Sequence, residues 1–251
     1  MTPKRKKRIW IGAIVLFLAL VGGYVFSVYH KLQQTISEIH EPIQREHSDK
    51  RPEELSFTER QPISILLIGV DERKNDRGRA DSLIVMTVNP EKQSIEMVSI
   101  PRDTRTLIVG KGKEDKINHS YAFGGVEMTL ATVEHFLDIP IDCWIEVDME
   151  SFKDIVDAVG GVTVNNAFAF EYEGDSFPKG EITLNGEKAL KYTRMRYDDP
   201  RGDFGRQDRQ KQVIEAIIKK GASFSSLTNY GDILEAIGKN IKTNLTFDDM
   251  K

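Results

Sequence analysis

The sequence is poor in cysteine, since Cys143 is the only one among 251 residues. A single thiol excludes an intramolecular disulfide, so the fold depends on its apolar core. Hydrophobic residues make up 39% of the chain, which is enough for a core of ordinary size. Cys143 itself lies in the apolar run 141–147, and this position predicts a buried, unreactive thiol.

Positive charge is outnumbered by negative charge once the first eight residues are set aside. The formal net charge of the chain is −4, and the five basic residues from Lys4 to Arg8 carry +5, so the remainder carries −9. A protein that binds nucleic acid through a basic face needs the opposite balance. We therefore expect no nucleic-acid partner, and we expect the arginines of the body to serve one small anionic ligand.

Long hydrophobic runs are also rare, with the exception of Ile9–Tyr29, which holds 21 residues and no charge. As a helix this run spans about 30 Å, the thickness of the hydrocarbon core of a bilayer. Trp10, Tyr24 and Tyr29 lie near its ends, where aromatic rings favour the membrane interface. The basic tail 1–8 precedes the run, which predicts a single-pass protein of the cell membrane with a cytoplasmic amino terminus and an extracytoplasmic domain.

A cleavable signal peptide is the alternative interpretation of this run. Its apolar part is longer than the h-region of about 7–15 residues, and no Ala-x-Ala site follows, so an uncleaved transmembrane helix over 9–29 is favoured. Residues 30–62 are polar and interrupted by Pro42, Pro52 and Pro62. This segment is predicted to be an extracytoplasmic tether that lifts the domain 63–251 off the membrane.

From residue 63 onwards, strand-like and helix-like patterns alternate. Apolar and β-branched runs predict strands at 63–70, 82–88, 94–100 and 141–147. Amphipathic spacing or helix-start and helix-stop residues predict helices at 126–137, 150–159, 186–192, 207–220 and 230–239. This order predicts an α/β domain with a mixed central sheet covered by helices, preceded by one transmembrane helix. The aromatic segment 167–180 is expected to pack locally rather than to line a lipid groove.

Two aspartates bracket a charged loop behind the first predicted strand. Asp71 follows that strand, Asp81 opens the next one, and Arg79 lies between them. Carboxylates on such a loop suit Mg²⁺, which commonly takes one or two carboxylates together with phosphate oxygens. The residues alone leave a second interpretation open, in which both aspartates are ordinary turn residues.

The stretch 192–210 carries five arginines and no lysine, namely Arg194, Arg196, Arg201, Arg206 and Arg209. A guanidinium group binds carboxylate or phosphate oxygens two at a time. Arg206 and Gln210 are four residues apart and share a helix face, near a helix start whose free N–H groups attract anions. Surface salt bridges around a turn are the alternative, and Arg201 and Arg209 in particular are expected either in solvent or paired with Asp198, Asp199 or Asp203.

A series of motifs follows in a characteristic order. They are Gly69-Val70-Asp71, Arg79-Ala80-Asp81-Ser82, Ser99-Ile100-Pro101-Arg102-Asp103, Lys116-Ile117-Asn118-His119-Ser120-Tyr121, Gly160-Gly161-Val162, Leu184-Asn185-Gly186-Glu187, Tyr192-Thr193-Arg194-Met195-Arg196 and Arg206-Gln207-Asp208-Arg209-Gln210. In these motifs the chain resembles the LytR-CpsA-Psr (LCP) family of cell-wall ligases, which includes the teichoic acid transferases of Gram-positive bacteria. The resemblance covers residues 63 to about 250, and the amino-terminal anchor also matches the family arrangement.

The resemblance implies a phosphotransferase that moves an anionic glycopolymer, such as wall teichoic acid, from a polyprenyl-pyrophosphate carrier to a peptidoglycan sugar hydroxyl. It implies that Asp71 and Asp81 hold Mg²⁺ and form the catalytic set with Arg79 and Arg102. The implied pyrophosphate-binding residues are Arg79, Arg102, Lys116, Arg194, Arg196, Arg206 and Gln210. Family domains continue past the position of Lys251 with a further helix and strand, so the domain is expected to be truncated there.

Two other functions remain open on the sequence. One is a non-catalytic protein that binds polyprenyl phosphate, and the other is a membrane-tethered regulator, against which the export topology and the acidic body argue. The general base is open as well. Asp71 or Asp81 could accept the proton of the acceptor hydroxyl, or the metal could lower the pKa of that hydroxyl.

Overall fold

The computed structural model describes residues 3–45, 47–51, 55, 56, 59–71, 78–222, 230–247 and 249. Within these ranges the helices are α1 (Pro3–Ile39), α2 (His119–Leu137), α3 (Met149–Ala158), α4 (Gly186–Arg194), α5 (Asp203–Gly221) and α6 (Tyr230–Asn240). The strands are β1 (Ile63–Val70), β2 (Ala80–Asn89), β3 (Ser94–Ile100), β4 (Arg105–Ile108), β5 (Lys113–Lys116), β6 (Cys143–Asp148), β7 (Val162–Asn166), β8 (Phe170–Tyr172), β9 (Asp175–Phe177), β10 (Gly180–Leu184) and β11 (Ile241–Thr243). Most of the predicted charged loop, residues 72–77, lies outside the described residues.

Helix α1 carries the apolar run and continues well beyond it. Residues Trp10–Ile39 form a helix long and apolar enough to cross a membrane. Its large apolar side chains from Trp10 to Phe26 are exposed, whereas Ile36 and Ile39 are only 4% and 5% exposed. Residues 30–39, which belong to the segment interpreted as a tether, are therefore helical, and their carboxyl end is buried against the folded domain.

Five strands form a mixed central sheet in the order β11–β6–β1–β2–β3. Strands β1 and β6 are parallel, and the other three neighbouring pairs are antiparallel. The strands predicted at 82–88 and 94–100 correspond to β2 and β3, which pair antiparallel from Leu83 opposite Ile100 to Asn89 opposite Ser94. Strand β1 is the middle strand of this order, and its Leu66 and Ile68 are 0% and 1% exposed.

Two apolar cores hold the helices in place. The first lies between the sheet and α2 and includes Leu130 and Trp144, each 1% exposed. The second gathers α3, α4 and α5 against β7 to β10 and includes Val156, Tyr192 and Val213, each fully buried. A mixed sheet flanked by helices on this scale confirms the predicted α/β class.

The aromatic segment 167–180 belongs to the second core. Phe170 and Phe177 are 7% and 1% exposed, and their ring centroids lie 4.7 Å apart in a stacked arrangement. Local packing of these rings is therefore confirmed. Cys143 is also buried, which confirms the predicted burial, and burial raises the pKa of its thiol to about 12, so little of the reactive thiolate forms.

Two helices begin earlier than their apolar spacing predicts. Helix α2 starts at His119, and its interior is broken at Gly124 and Gly125, where the backbone leaves helical torsion angles. The predicted start at 126 therefore marks this break. Helix α5 starts at Asp203, behind Gly202 with a φ of 57°. The one apolar side chain of its first turn, Phe204, is 69% exposed, so the buried apolar spacing that marks the helix begins only later.

Candidate active site

The strand ends that carry Asp71 and Asp81 are adjacent. The pairing register of β1 and β2 shifts between Gly69 and Val70, which makes Asp81 the extra residue of a β-bulge. A bulge at the end of a strand turns its side chain away from the regular alternation. The backbone N–H of Asp71 donates to the carbonyl of Arg79 at 3.4 Å and keeps the two strand ends together.

Strand β3 ends next to this bulge and delivers Arg102. The Nη1 of Arg102 donates to Oδ1 of Asp81 at 2.8 Å, and this hydrogen bond raises the pKa of the guanidinium above its ordinary value. The neighbouring Asp103 accepts a hydrogen bond from Nζ of Lys116 at 2.6 Å. That bond lowers the pKa of Asp103, so the carboxylate stays ionised and holds Lys116 beside Arg102.

The first turn of α5 forms the other half of the site around Asp203. Its carboxylate accepts a hydrogen bond from Nε of Arg206 at 2.8 Å and one from Nε2 of Gln207 at 2.9 Å. Nε of Arg196 lies 3.7 Å from the same carboxylate. Partial burial works to raise the pKa of Asp203, but the bonds from Arg206 and Gln207 and the charge of Arg196 outweigh it, so the pKa is lowered.

Gln210 connects the two halves. Its Nε2 donates to Oγ of Ser82 on β2 at 2.9 Å, across 128 residues of sequence. Gly69 makes room for this contact, because a Cβ at that position would lie 3.0 Å from the Cβ of Ser82. The charges of the two halves also act on each other: besides the Lys116 hydrogen bond, Arg196 helps to lower the pKa of Asp103.

Two of the predicted anion-binding residues stand apart from these pairs. Arg79 and Arg194 are exposed, and within the described part of the chain their side chains make no hydrogen bond or ion pair. Arg79 lies two residues before Asp81, next to the start of β2. Arg194 is the last residue of α4, where its charge acts on the hydroxyl of Tyr172, whose pKa is nevertheless raised by burial.

Arg209 has a structural environment rather than an exposed one. Its side chain is 5% exposed, its Nε donates to the carbonyl of Tyr192 at 2.9 Å, and its Nη atoms bind the carbonyl of Met195 and the buried carboxylate of Asp199. Gly205 permits this pairing, since a Cβ there would lie 1.8 Å from Oδ2 of Asp199. Of the two alternatives for Arg209, the pair with Asp199 is the one observed.

Arg201, in contrast, stays at the surface. Its side chain is 55% exposed, and its Nη1 lies 2.7 Å from Oδ2 of Asp208, a partner that the sequence did not suggest. Its Nε lies 4.0 Å from Oδ1 of Asp199, one of the partners that the sequence did suggest. Arg209 therefore makes the buried contacts with the segment 195–199, whereas Arg201 makes longer or exposed ones.

Three residues of the site have no assigned role in the sequence analysis, namely Ser82, Asp103 and Asp203. Asp203 had a detectable signal, because an acid three residues before Arg206 in a helix is placed to pair with it. Ser82 and Asp103 had none, since their partners Gln210 and Lys116 come from other elements of the fold.

Comparison with known proteins settles the family. The model of the LytR_cpsA_psr family matches residues 26–251, which is most of the chain. The chain belongs to the LytR-CpsA-Psr family. Among curated LCP proteins, the "Polyisoprenyl-teichoic acid--peptidoglycan teichoic acid transferase TagU" of Bacillus licheniformis is 60% identical over 250 residues, which cover 98% of this chain and 81% of that protein. The protein of the same name from Bacillus subtilis is 57% identical with the same coverage.

Solved LCP structures share the fold. The crystal structure of B. subtilis TagU matches with a TM-score of 0.63 and 62% identity, over 75% of this chain and 79% of that one. A structure described as TagT bound to LIIa-WTA matches with a TM-score of 0.70 and 36% identity, over 84% of this chain and 80% of that one.

Proposed function

We propose that this LCP protein transfers an anionic glycopolymer, such as wall teichoic acid, from a polyprenyl-pyrophosphate carrier to a sugar hydroxyl of peptidoglycan. The observation that carries the proposal is an identity of 57–60% over 98% of the chain to proteins named for the transfer of teichoic acid from a polyisoprenyl carrier to peptidoglycan. The cationic site described above supports it, because a pyrophosphate donor requires several cationic hydrogen-bond donors that converge on one place.

The pyrophosphate of the donor would replace carboxylates that now pair with the cations. Asp81 engages Arg102, Asp103 engages Lys116, and Asp203 engages both Arg196 and Arg206. Each of these ion pairs is partly exposed, so the cation can exchange its carboxylate for a phosphate oxygen at little cost. Arg79 and Arg194 are exposed and add two guanidinium groups that need no such exchange.

In the reaction, an oxygen of the acceptor hydroxyl attacks the phosphorus that carries the glycopolymer. The bond from that phosphorus to the bridging oxygen breaks, polyprenyl phosphate leaves, and the hydroxyl loses its proton. Asp71 and Asp81 are the candidate bases for this proton. The arginines and Lys116 neutralise the negative charge on the phosphate oxygens, which is the main requirement of phosphoryl transfer.

The donor set at the ends of β1 and β2 fits Mg²⁺. The described residues contain no group of three or more His, Cys, Asp or Glu positioned for a metal ion. The candidate ligands are therefore the two carboxylates of Asp71 and Asp81. This number suits Mg²⁺, which characteristically binds through one or two carboxylates and completes its coordination shell with water and phosphate oxygens. When bound, Mg²⁺ would add positive charge at the phosphate oxygens and lower the pKa of a bound hydroxyl.

The charge of Arg196 tests the donor site. Replacing Arg196 with Ala removes a half-exposed side chain, so the fold should be retained while transfer of glycopolymer from the lipid-linked donor falls by about a hundredfold or more. The matched control is Arg105→Ala, because Arg105 is 79% exposed and, among the described residues, forms an ion pair only with Glu114, at 2.7 Å on the neighbouring strand. Unchanged transfer in Arg196→Ala would contradict the assignment of Arg196 to the donor site. Donor binding without transfer in the unmodified protein would favour a carrier-binding protein instead.

Metal removal tests the Mg²⁺ assignment separately. Treatment with EDTA should abolish transfer, and added Mg²⁺ should restore it, whereas Asp71→Asn should need far more Mg²⁺ for the same rate. A transfer rate that is insensitive to EDTA would exclude the metal while leaving the transferase function in place.

We further propose that α1 anchors the protein in the cell membrane by a single pass, with residues 1–8 in the cytoplasm. The exposed apolar side chains of the helix and the basic residues before it support this topology.

A further inference from the structure

The junction between the anchor helix and the domain is packed rather than loose. Thr35, Ile36 and Ile39 on α1 are 4–5% exposed because they are buried against the domain, where α6 is the main neighbour of the helix. The chain then stays attached, since the N–H of Glu41 donates to the carbonyl of Thr243 on β11 at 2.8 Å. A helix held in this way offers no joint about which the domain can swing away from the membrane.

Aromatic contacts extend this junction down into the apolar run. The rings of Tyr24 and Tyr230 meet edge to face with their centroids 5.7 Å apart, and Tyr29 and Phe247 do the same at 5.3 Å. Tyr24 and Tyr29 both belong to the run 9–29, whereas Tyr230 begins α6 and Phe247 follows β11. The folded domain thus reaches residues that the sequence places inside the membrane.

The depth of this contact follows from helix geometry. Tyr24 lies five residues before Tyr29, which is about 7 Å along a helix axis. Tyr29 ends the apolar run and so marks the outer interface. Tyr230 packs against Tyr24 and therefore lies about 7 Å deeper. This is within the depth of about 5–10 Å to which interfacial elements insert between headgroups and acyl chains. Tyrosine rings are favoured at that depth, because the ring is apolar and the hydroxyl stays hydrated.

We propose that the first turn of α6 and Phe247 form a membrane mount, defined by Tyr230, Gly231, Asp232 and Phe247, which contacts the outer-leaflet phospholipids directly. The proposal rests on the anchor role proposed for α1. The partner of the mount is the lipid interface. Lys31, Tyr24 and Tyr29 of α1 contact the mount, and these contacts hold it at the level of the bilayer surface.

The mount changes how the enzyme meets its donor. A polyprenyl chain is anchored in the same leaflet, so its pyrophosphate stays close to the membrane surface. A domain held at a constant height presents its cationic site to that pyrophosphate without the search that a flexible tether of about 30 residues would require.

The test measures the depth of labels on the full chain reconstituted in phosphatidylglycerol–phosphatidylethanolamine vesicles. Cys143 is buried and its thiol pKa is about 12, so an introduced cysteine is the one that reacts. An environment-sensitive fluorophore is placed in Asp232→Cys on the mount, in Ser176→Cys at the exposed position of strand β9, and in Leu20→Cys on the apolar run. Quenching by lipids with spin labels at defined depths reports the position of each label.

The mount predicts strong quenching at position 20, clear shallow quenching at 232 and none at 176. Quenching at position 20 without quenching at 232 or 176 would overturn the mount. It would leave the anchor and the transferase proposal intact. Absence of quenching at 20 would overturn the anchor, and the mount with it.

A packing variant tests whether the helix contact is the cause. Gly238 on α6 faces α1, and a Cβ there would lie 3.3 Å from both Thr35 and Glu38. Gly238→Leu should therefore push α6 off α1 and reduce quenching at position 232. The matched control is Gly12→Leu, since nothing lies within 4 Å of a Cβ at Gly12. Equal quenching in Gly238→Leu and the control would contradict the role of the α1–α6 contact.

Discussion

At the scale of single residues, Asp203 determines how the cations of the site are held. Its carboxylate contacts Arg196, Arg206 and Gln207, so three side chains from two segments share one acceptor. This carboxylate orients the guanidinium groups, and in the proposed function it competes with the phosphate oxygens of the donor for them. Because these contacts lower the pKa of Asp203 in the folded protein, they also make its contribution to the free energy of unfolding depend on pH.

The lowered pKa of Asp203 predicts a specific acid sensitivity. A carboxyl group whose folded pKa lies below its ordinary value of 3.8 stabilises the fold above that value, and this contribution is lost as the pH falls through the folded pKa. Asp203→Asn removes the contribution. The difference in unfolding temperature between the wild type and Asp203→Asn should thus be constant near neutral pH and shrink below about pH 4. Thermal unfolding from pH 7 downwards measures it, and a difference that stays constant to pH 2 would contradict the assignment.

At the scale of elements, the Arg209–Asp199 pair shapes the link between α4 and α5. Both side chains are at least 95% buried, and Arg209 also binds two carbonyl groups of the preceding segment. Arg194 ends α4 and Arg196 lies on the link, so the contacts of Arg209 with the carbonyls of Tyr192 and Met195 fix the backbone beside both arginines. A buried charge of this kind is sensitive to the loss of its partner, because an unpaired carboxylate remains.

Replacement of Arg209 with Met should therefore lower the free energy of unfolding by about 3–5 kcal/mol, since Asp199 stays buried and uncompensated. Arg201→Met is the matched control on the same link. Arg201 is 55% exposed, so its ion pairs with Asp208 at 2.7 Å and with Asp199 at 4.0 Å should together contribute no more than about 1 kcal/mol. Denaturant unfolding of the detergent-solubilised chain compares the two, and similar losses in both variants would show that burial of the pair does not matter.

At the scale of the whole molecule, the anchor helix is part of the folded domain as well as of the membrane span. Its last turn contributes Ile36 and Ile39 to an interface with α6, and the β-bridge from His40 to Thr243 extends the attachment to the sheet. The boundary between membrane segment and domain therefore falls inside α1.

Two soluble fragments test this boundary. A fragment of residues 31–251 keeps the buried turn of α1, whereas a fragment of residues 41–251 loses it together with Ile36 and Ile39. Burial of each such side chain contributes about 1.5–3 kcal/mol, so the shorter fragment should unfold at a lower temperature and lower denaturant concentration. Identical unfolding curves would mean that residues 31–40 do not belong to the folded unit.

Much of the architecture could be predicted because its signals are local. The length and apolarity of 9–29 predict a span, period-two and apolar runs predict the strands, and Asn185 predicts a helix start, where it accepts a hydrogen bond from the N–H of Lys188. The boundaries of α2 and α5 were less predictable. Their first turns are polar or interrupted by glycine, and a periodicity of apolar residues cannot detect them.

The sequence by itself determined the α/β class, the apolar helix and the residue types of an anion site, since each depends on neighbours in the chain or on motifs. Tertiary structure alone decided which arginines face the site and which support it. The bulge at Asp81, the Gln210–Ser82 bond and the burial of Arg209 depend on strand register and helix packing between distant segments. Such contacts have no local signature, because they are set by how whole elements fit together.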